Sequence, residues 1–247
     1  MSPGRNTVWA AIALALATVV GCGAAHGAST SLAPVHGTYA PAIDPANFVA
    51  GVDNRYFPLK PGTRLSYTGV SDNGTTRQTD RQLVTHRTKR VLGVDCTVVR
   101  DTVSEHGRPV ERTYDWYAQD KQGNVWYFGE DSRNYRHGRF VKGSDSWESG
   151  VHGAKPGILM ESNPKPGDTY RQEYYPGHAE DQARVLGSGG AVKVPYRSFK
   201  QTLATLERSA LEPGAREKKY YGAGIGEIKS QVVKGGREAF QLVSVKH

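Results

Sequence analysis

The chain has two cysteines in 247 residues, Cys22 and Cys96. So few cysteines exclude a disulfide-dense scaffold, and no C-x-x-C, H-E-x-x-H or clustered Cys/His spacing marks a zinc site. The eight histidines are dispersed, with no pair at ligand spacing. Serine, histidine and aspartate are all present, but no G-x-S-x-G elbow sets up a nucleophile. Gly187-Ser188-Gly189-Gly190 lacks the Lys-Ser/Thr and the following helix of a phosphate cradle. The glycine-rich bend Tyr220 to Gly226 lies between strands rather than between a strand and a helix, which excludes a dinucleotide fingerprint. Helical periodicity is almost absent, and no internal repeat of fixed period is present. The apolar run Val8 to Val20 falls short of the ~20 residues that a spanning helix needs.

That run has another use. It follows a start whose one charged side chain is Arg5, and it ends in Val19-Val20-Gly21-Cys22. A charged start, a short apolar core and a small-residue exit form a secretory signal. Val-Val-Gly-Cys resembles the lipobox of bacterial lipoproteins, which implies diacylation of Cys22 as the mature N-terminus. An ordinary signal cleaved near Ala25 or Ala28 is the competing reading; the cysteine's place where the apolar run stops favours the lipobox. The expected organisation is a signal peptide over residues 1–21, a flexible Ala/Pro/Gly/Ser-rich tether over 22–45 and one β-rich domain over 46–247. The chain would then be held extracytoplasmically on a membrane by its N-terminal lipid. Cys96, in the alternating segment VDCTVV, is expected to be a small buried core residue.

The net charge of +8 is spread along the chain, with small clusters at Arg87–Arg90 and Arg216–Lys219. Contact with anionic headgroups or acidic wall polymers fits this charge, and solubility alone fits it more simply. Nucleic acid is not an expected partner, since no binding motif is present.

Strand-period segments recur about every ten residues. They are Thr63–Val70, Gln78–Lys89, Asp95–Ser104, Pro109–Gln119, Val125–Gly129, Ser132–Phe140, Asp168–Tyr175, Asp181–Leu186, Val192–Val194, Thr202–Arg208, Arg216–Tyr221, Gly226–Val233 and Phe240–Val245. Turn chemistry separates most of them, as at Lys121-Gln122-Gly123 and Pro176-Gly177. The expected fold is all-β: an antiparallel meander curled into a barrel or a strongly curved half-barrel.

Two stretches hold the candidate site residues. In Asp115 to Asp131 (DWYAQDKQGNVWYFGED), a three-residue turn ending in Gly123 sets Tyr117 against Tyr127, Ala118 against Trp126 and Trp116 against Phe128. One face then carries Tyr114, Trp116, Ala118, Trp126 and Phe128, apolar enough to line a core. The other carries Asp115, Tyr117, Gln119, Val125 and Tyr127, and Glu130-Asp131 could face the same mouth as Asp115. In Gln172 to Asp181 (QEYYPGHAED), a turn at Pro176-Gly177 sets Glu173 opposite Glu180, with His178 on the same face and Asp181 on the other. Opposed acids repel unless they share a proton, bind a cation or meet a base. They could bind a divalent metal or do acid/base chemistry. A solvated face neutralised by Arg171, Arg184 or a lysine is the simpler expectation and weighs more, since no motif fixes this spacing.

Tyr56–Gly62 (YFPLKPG), Asp115–Asp131, Gly153–Gly157 (GAKPG), Gly167–Tyr174 (GDTYRQEY) and Tyr220–Gly226 (YYGAGIG) together resemble a family of bacterial secreted proteins and lipoproteins of uncharacterised function. The resemblance spans nearly all of the chain after residue 46 and implies a curved-sheet periplasmic domain. It supplies no catalytic residues. His178 stands where similar sequences have an acid, which argues against His178 as an essential ligand or base.

The leading functional expectation is a lipid-anchored cell-envelope domain without catalysis, holding an apolar or amphipathic ligand such as a lipid. Asp115, Tyr117, Tyr127, Trp116 and Trp126 are its ligand-facing candidates. The alternative is an extracytoplasmic hydrolase or lyase using Glu173, Glu180, Asp181 and His178. If it uses a metal, Glu173, His178 and Glu180 are the candidate ligands. A structural or adhesive surface protein is the third possibility. No cofactor is expected.

Cys22→Ala should release the protein from membranes into the soluble extracytoplasmic fraction. Fractionation and intact mass check this: a variant that stays membrane-bound, with no acyl mass on the wild type, overturns the lipobox assignment.

Overall fold

Alternating segments pair edge to edge in the computed structural model, which describes residues 31–71 and 73–247. The main strands are β1 (Arg64–Val70), β2 (Arg77–Val91), β3 (Val94–Glu105), β4 (Arg108–Asp120), β5 (Val125–Glu130) and β6 (Lys155–Met160). β7 runs Thr169–Arg171 and resumes after Gln172 as Glu173–Tyr174. Then come β8 (Asp181–Ser188), β9 (Leu203–Ser209), β10 (Arg216–Gly222), β11 (Gly226–Lys234) and β12 (Ala239–Lys246). The expected signal peptide, with Cys22, lies outside the described residues. Among the described residues no helix is long and apolar enough to cross a membrane.

The pairing runs round a circuit. β1 to β5 follow one another as antiparallel neighbours, and β5 pairs β6 at Tyr127↔Gly157. β6 pairs the second half of β7 at Pro156↔Glu173, and the first half of β7 pairs β8 at Tyr170↔Ala183. β8 to β12 again follow in order, and β12 returns to β1 at Leu242↔Tyr67. The result is an all-β antiparallel barrel, thinnest at the interrupted β7; closing a sheet in this way leaves few free edges.

Every expected strand has a counterpart, with two departures. Ser132–Phe140 is a small hairpin of Arg133–Arg136 and Arg139–Lys142, folded back at His137-Gly138, where both φ angles are positive (51° and 81°). β6 is not among the expected strands, because Pro156 and Gly157 read locally as turn residues.

The wall has a core on its outer side. Trp116, Ala118, Trp126 and Phe128 pack there with Val98, beneath the chain that precedes β1. Phe48 meets the rings of Trp126 and Phe128 edge-on, at 6.3 and 5.6 Å. Farther back, Ala33 and Tyr39 are buried. Tyr39 donates to Pro156 O (2.5 Å), and Arg171 donates to Pro34 O and Val35 O (3.0 Å each). The stretch of the expected tether that falls within the described residues is therefore strapped along the wall in part, not free.

The hairpin keeps the expected register at Tyr117↔Tyr127, Ala118↔Trp126 and Gln119↔Val125. Asp120 clamps its tip, accepting from Gln122 N, Asn124 N, Asn124 Nδ2 and Trp126 Nε1 at 2.9–3.0 Å. Beyond Tyr117 the register slips by one, so Trp116 faces Gly129 rather than Phe128, and Asp115 faces Glu130. Gly129 permits the bulge: its φ is 133°, and a Cβ would lie 2.4 Å from Trp147 O. The slip turns Glu130 onto the face of Asp115.

Trp126 is 6% exposed and holds both the outer core and the Asp120 clamp. Trp126→Ala should therefore destabilise the fold by about 3–5 kcal/mol. Denaturant unfolding checks this; a loss under about 1 kcal/mol would mean that the outer core does not hold the wall.

Candidate functional site

The inward face of the barrel is built from alternate residues on each strand. Registers place Tyr67, Asp80, Val103 and Glu111 in one row, and Asp101 beside Thr113 in the next. On the opposite wall Glu207 faces Ala183 and Glu217, Thr205 faces Lys219, and Asp181 faces Ser209. Toward one end the inward side chains are apolar: Val84, Val99, Val125, Val185, Leu203 and Tyr221 pack with Val52 and Leu59 from the chain before β1. Asn54 fixes that segment through its contacts with Gln119 Oε1, Gly123 O and Glu161 O. The barrel thus has an apolar floor and an acidic belt above it.

Lys219 holds one side of the belt. Its Nζ lies 2.9 Å from Glu207, 3.7 Å from Glu217 and 4.0 Å from Glu227. Glu207 also accepts from Thr205 Oγ1 (2.8 Å) and Tyr221 OH (3.2 Å). Burial works against the charge on Lys219, but the three carboxylates outweigh it and hold the ammonium pKa well above its ordinary value. Burial pushes Glu227 up to about 7 even with Lys219 beside it.

Across the lumen the acids have less help. Asp115 accepts from Tyr127 OH at 2.9 Å, and burial, then Asp101, pushes it up to about 7. Glu130 and Glu173 are raised well above the usual carboxylate range, Glu130 by burial and then Asp115, Glu173 by burial and then Asp181. Burial pushes Asp181 up to about 6, against hydrogen bonding from Ser209 and the charge of Lys219. Asp80 is raised by burial and by its neighbour Asp101, with Gln82 Nε2 bridging the two at 3.3 Å each. Tyr117 stacks on Tyr127 (4.8 Å between centroids), and Trp147 meets Tyr127 edge-on at 5.4 Å. These groups are ringed by protein, although the side chains of Lys219, Glu217 and Glu227 keep 21–25% of their surface accessible. A cleft of about 430 Å³ shares Glu130 and Trp147 with the belt and extends past Tyr175 to Trp116 and Lys89.

The expected site residues are sorted by this wall. Asp115, Tyr117 and Tyr127 face the lumen, with Glu130 joining them. Trp116 and Trp126 lie on the outer side, Trp116 under the ammonium of Lys89 (3.9 Å). The acid beside Glu173 in the lumen is Asp181, not Glu180. Tyr175 pairs with Ala179, and Gln172 N donates to Asp181 O (2.8 Å). The turn therefore spans Pro176, Gly177 and His178, with Gly177 at φ 75°. A one-residue change in the turn exchanges the faces. Glu180 is turned away and accepts from Gly177 N at 2.8 Å. His178 is exposed and stacks on Tyr175 at 4.3 Å. Glu173, His178 and Glu180 do not converge, and among the described residues no group of three or more His, Cys, Asp or Glu has the geometry to hold a metal. Cys96 is a buried core residue whose thiol burial pushes up to about 12.

Asp80, Asp101, Glu111, Glu207, Glu217, Glu227 and Lys219 were not singled out in the sequence. Their signal is polar alternation, as in Glu111-x-Thr113-x-Asp115-x-Tyr117 and Glu217-x-Lys219-x-Tyr221. Such a pattern is normally the solvent face of a sheet.

No family model and no curated protein matches the chain. Among solved structures it is similar to an exported protein with a YmcC-like fold from Bacteroides fragilis (14% identity, TM-score 0.48). It is also similar to a lipoprotein from Parabacteroides distasonis (11% identity, TM-score 0.42). Each match covers 78% of this chain and 100% of the other.

Glu111, Asp115 and Glu227 titrate near 7 and Asp181 near 6, against about 4 in an unfolded chain. Between those values the folded protein binds more protons than the unfolded one, so stability is lost as pH rises through that window. The melting temperature should be higher at pH 5 than at pH 8, and Asp101→Asn should raise it at pH 8. Calorimetry at both pH values checks this; a wild type that is more stable at pH 8 would mean that the belt ionises as freely folded as unfolded.

Proposed function

We propose that this chain is a non-catalytic binding domain of the cell envelope, held on a membrane by a lipid on Cys22, and that its barrel interior takes an amphipathic ligand. The observation that carries the reading is the division of the interior into an apolar floor and an acidic belt. A barrel of this many strands leaves room for a guest, and binding pockets combine apolar walls with a few placed polar groups. A guest with an apolar end on Val84, Val99, Val185 and Leu203 would have its polar end among the acids. The export signal and lipobox of the sequence support the location. A second reading, acid/base chemistry by Glu173 and Asp181, is favoured by their place beside each other in the lumen and their raised proton affinity.

Native mass spectrometry of protein purified gently from membranes should show a bound mass that is lost on unfolding. Only the bare protein mass, with nothing recovered by solvent extraction, would overturn the binding reading.

A further inference from the structure

We infer that the side of the belt formed by Asp115, Glu130 and Glu173 is a site for an organic ammonium group, so that the guest is an amphipathic amine. The inference rests on the reading of the lumen as a binding chamber and names the polar end of the guest.

Four observations lead to it. First, the charges are unevenly answered. Lys219 pairs with Glu207, Glu217 and Glu227, while among the described residues no ion pair includes Asp115, Glu130 or Glu173, and Lys219 reaches only Glu173 of these, through its field. Second, aromatic groups stand beside these acids: the stacked Tyr117–Tyr127 pair and, edge-on to it, Trp147. Carboxylates beside aromatic faces attract an ammonium by charge and by the ring quadrupole together. Third, Trp147 is 4% exposed, and its indole N–H leans on the Glu173 carboxyl, easing its charge, without reaching the geometry of a full hydrogen bond. A buried donor left open in a polar chamber marks a place where a guest or its water completes the network. Fourth, Glu130 and Trp147 also line a surface cleft of about 430 Å³, so this corner of the belt borders the outside of the barrel.

The protein carries its own example of the occupant. The Lys219 ammonium is taken between carboxylates on the far side of the same belt, with Tyr221 OH on one of them. A guest ammonium would do for Asp115, Glu130 and Glu173 what bound protons do, which is to let the acids sit together without mutual repulsion. A divalent metal fits less well, because it needs several oxygens converging at about 2.0–2.6 Å and the described residues offer no such group. Carboxylates that accept N–H donors favour a primary or secondary amine over a quaternary one.

The test is calorimetric titration of the whole protein at pH 8 with n-octylamine, n-octanol, n-octanoate and calcium chloride. Octylamine should bind at least about tenfold tighter than octanol, and octanoate should not bind. Glu130→Gln and Glu173→Gln should each weaken octylamine at least about tenfold at unchanged melting temperature or higher, while Glu180→Gln, outside the lumen, leaves it unchanged. Octanol binding as tightly as octylamine would overturn the ammonium site and leave the amphipathic chamber standing. Calcium binding that Glu130→Gln abolishes, without octylamine binding, would make the belt a metal site instead. No binding of any probe, together with no co-purified mass, would overturn both readings.

Discussion

The Lys219 ammonium among Glu207, Glu217 and Glu227 is the interaction that lets this barrel exist with an acidic interior. Carboxylates ringed by protein lose hydration and repel one another, and either effect alone would open the wall if all were charged. Three devices prevent that. Lys219 answers one side of the belt; hydroxyl groups from Thr205, Tyr221, Tyr127 and Ser209 donate to Glu207, Asp115 and Asp181; and Asp80 keeps its proton beside Asp101. Removing Lys219 would leave three acids uncompensated, which is far costlier than never having buried them.

The wall can tolerate a polar interior because its packing energy lies elsewhere. The outer side of β3 to β5 buries Trp116, Trp126 and Phe128 under Phe48, Val52 and the strapped segment around Tyr39. The strands there are covered on both faces, apolar outside and polar within, the reverse of a globular sheet with one face to solvent. The floor of valines and Tyr221 then joins the outer core through Val52 and Leu59, so that one continuous apolar cluster runs under and around the chamber. Local irregularities adjust which acids enter it. The bulge at Gly129 brings Glu130 in, and the three-residue turn at Pro176 brings Asp181 beside Glu173 while turning Glu180 out.

Much of the fold was legible because strand periodicity and turn residues are local. The hairpin at Asp120–Asn124 was read in register because its turn type fixes the pairing of the next three residues on each side. The register failed at the first bulge, which depends on Trp147 O, a backbone atom nearly twenty residues away that only Gly129 can approach. The Glu173–Glu180 pairing failed because Pro-Gly can open either a two- or a three-residue turn, and one residue decides the face. β6 was hidden by Pro156 and Gly157. The belt itself was not legible for a more general reason. Alternation tells which residues share a face, but whether that face looks at bulk water or at a lumen depends on closure of the whole sheet, which no short stretch encodes. Lys219 stands in a small basic cluster along the chain, although its neighbours in space are Glu207, Glu217 and Glu227.

A fold selected only for stability would not contain this belt. Replacing buried ionised groups by apolar side chains of similar volume is often neutral or stabilising, and a barrel interior of this size can be packed with aliphatic residues as its own floor is. The acids raise the free energy of the folded state increasingly from about pH 4 upward, through the range in which the protein must work if it is extracytoplasmic. Strain of this kind is characteristic of sites rather than scaffolds, because a guest that relieves it gains the free energy of that relief on binding. The relief must come from something positively charged or proton-donating that enters from outside, since Lys219 is already committed to the other side of the belt.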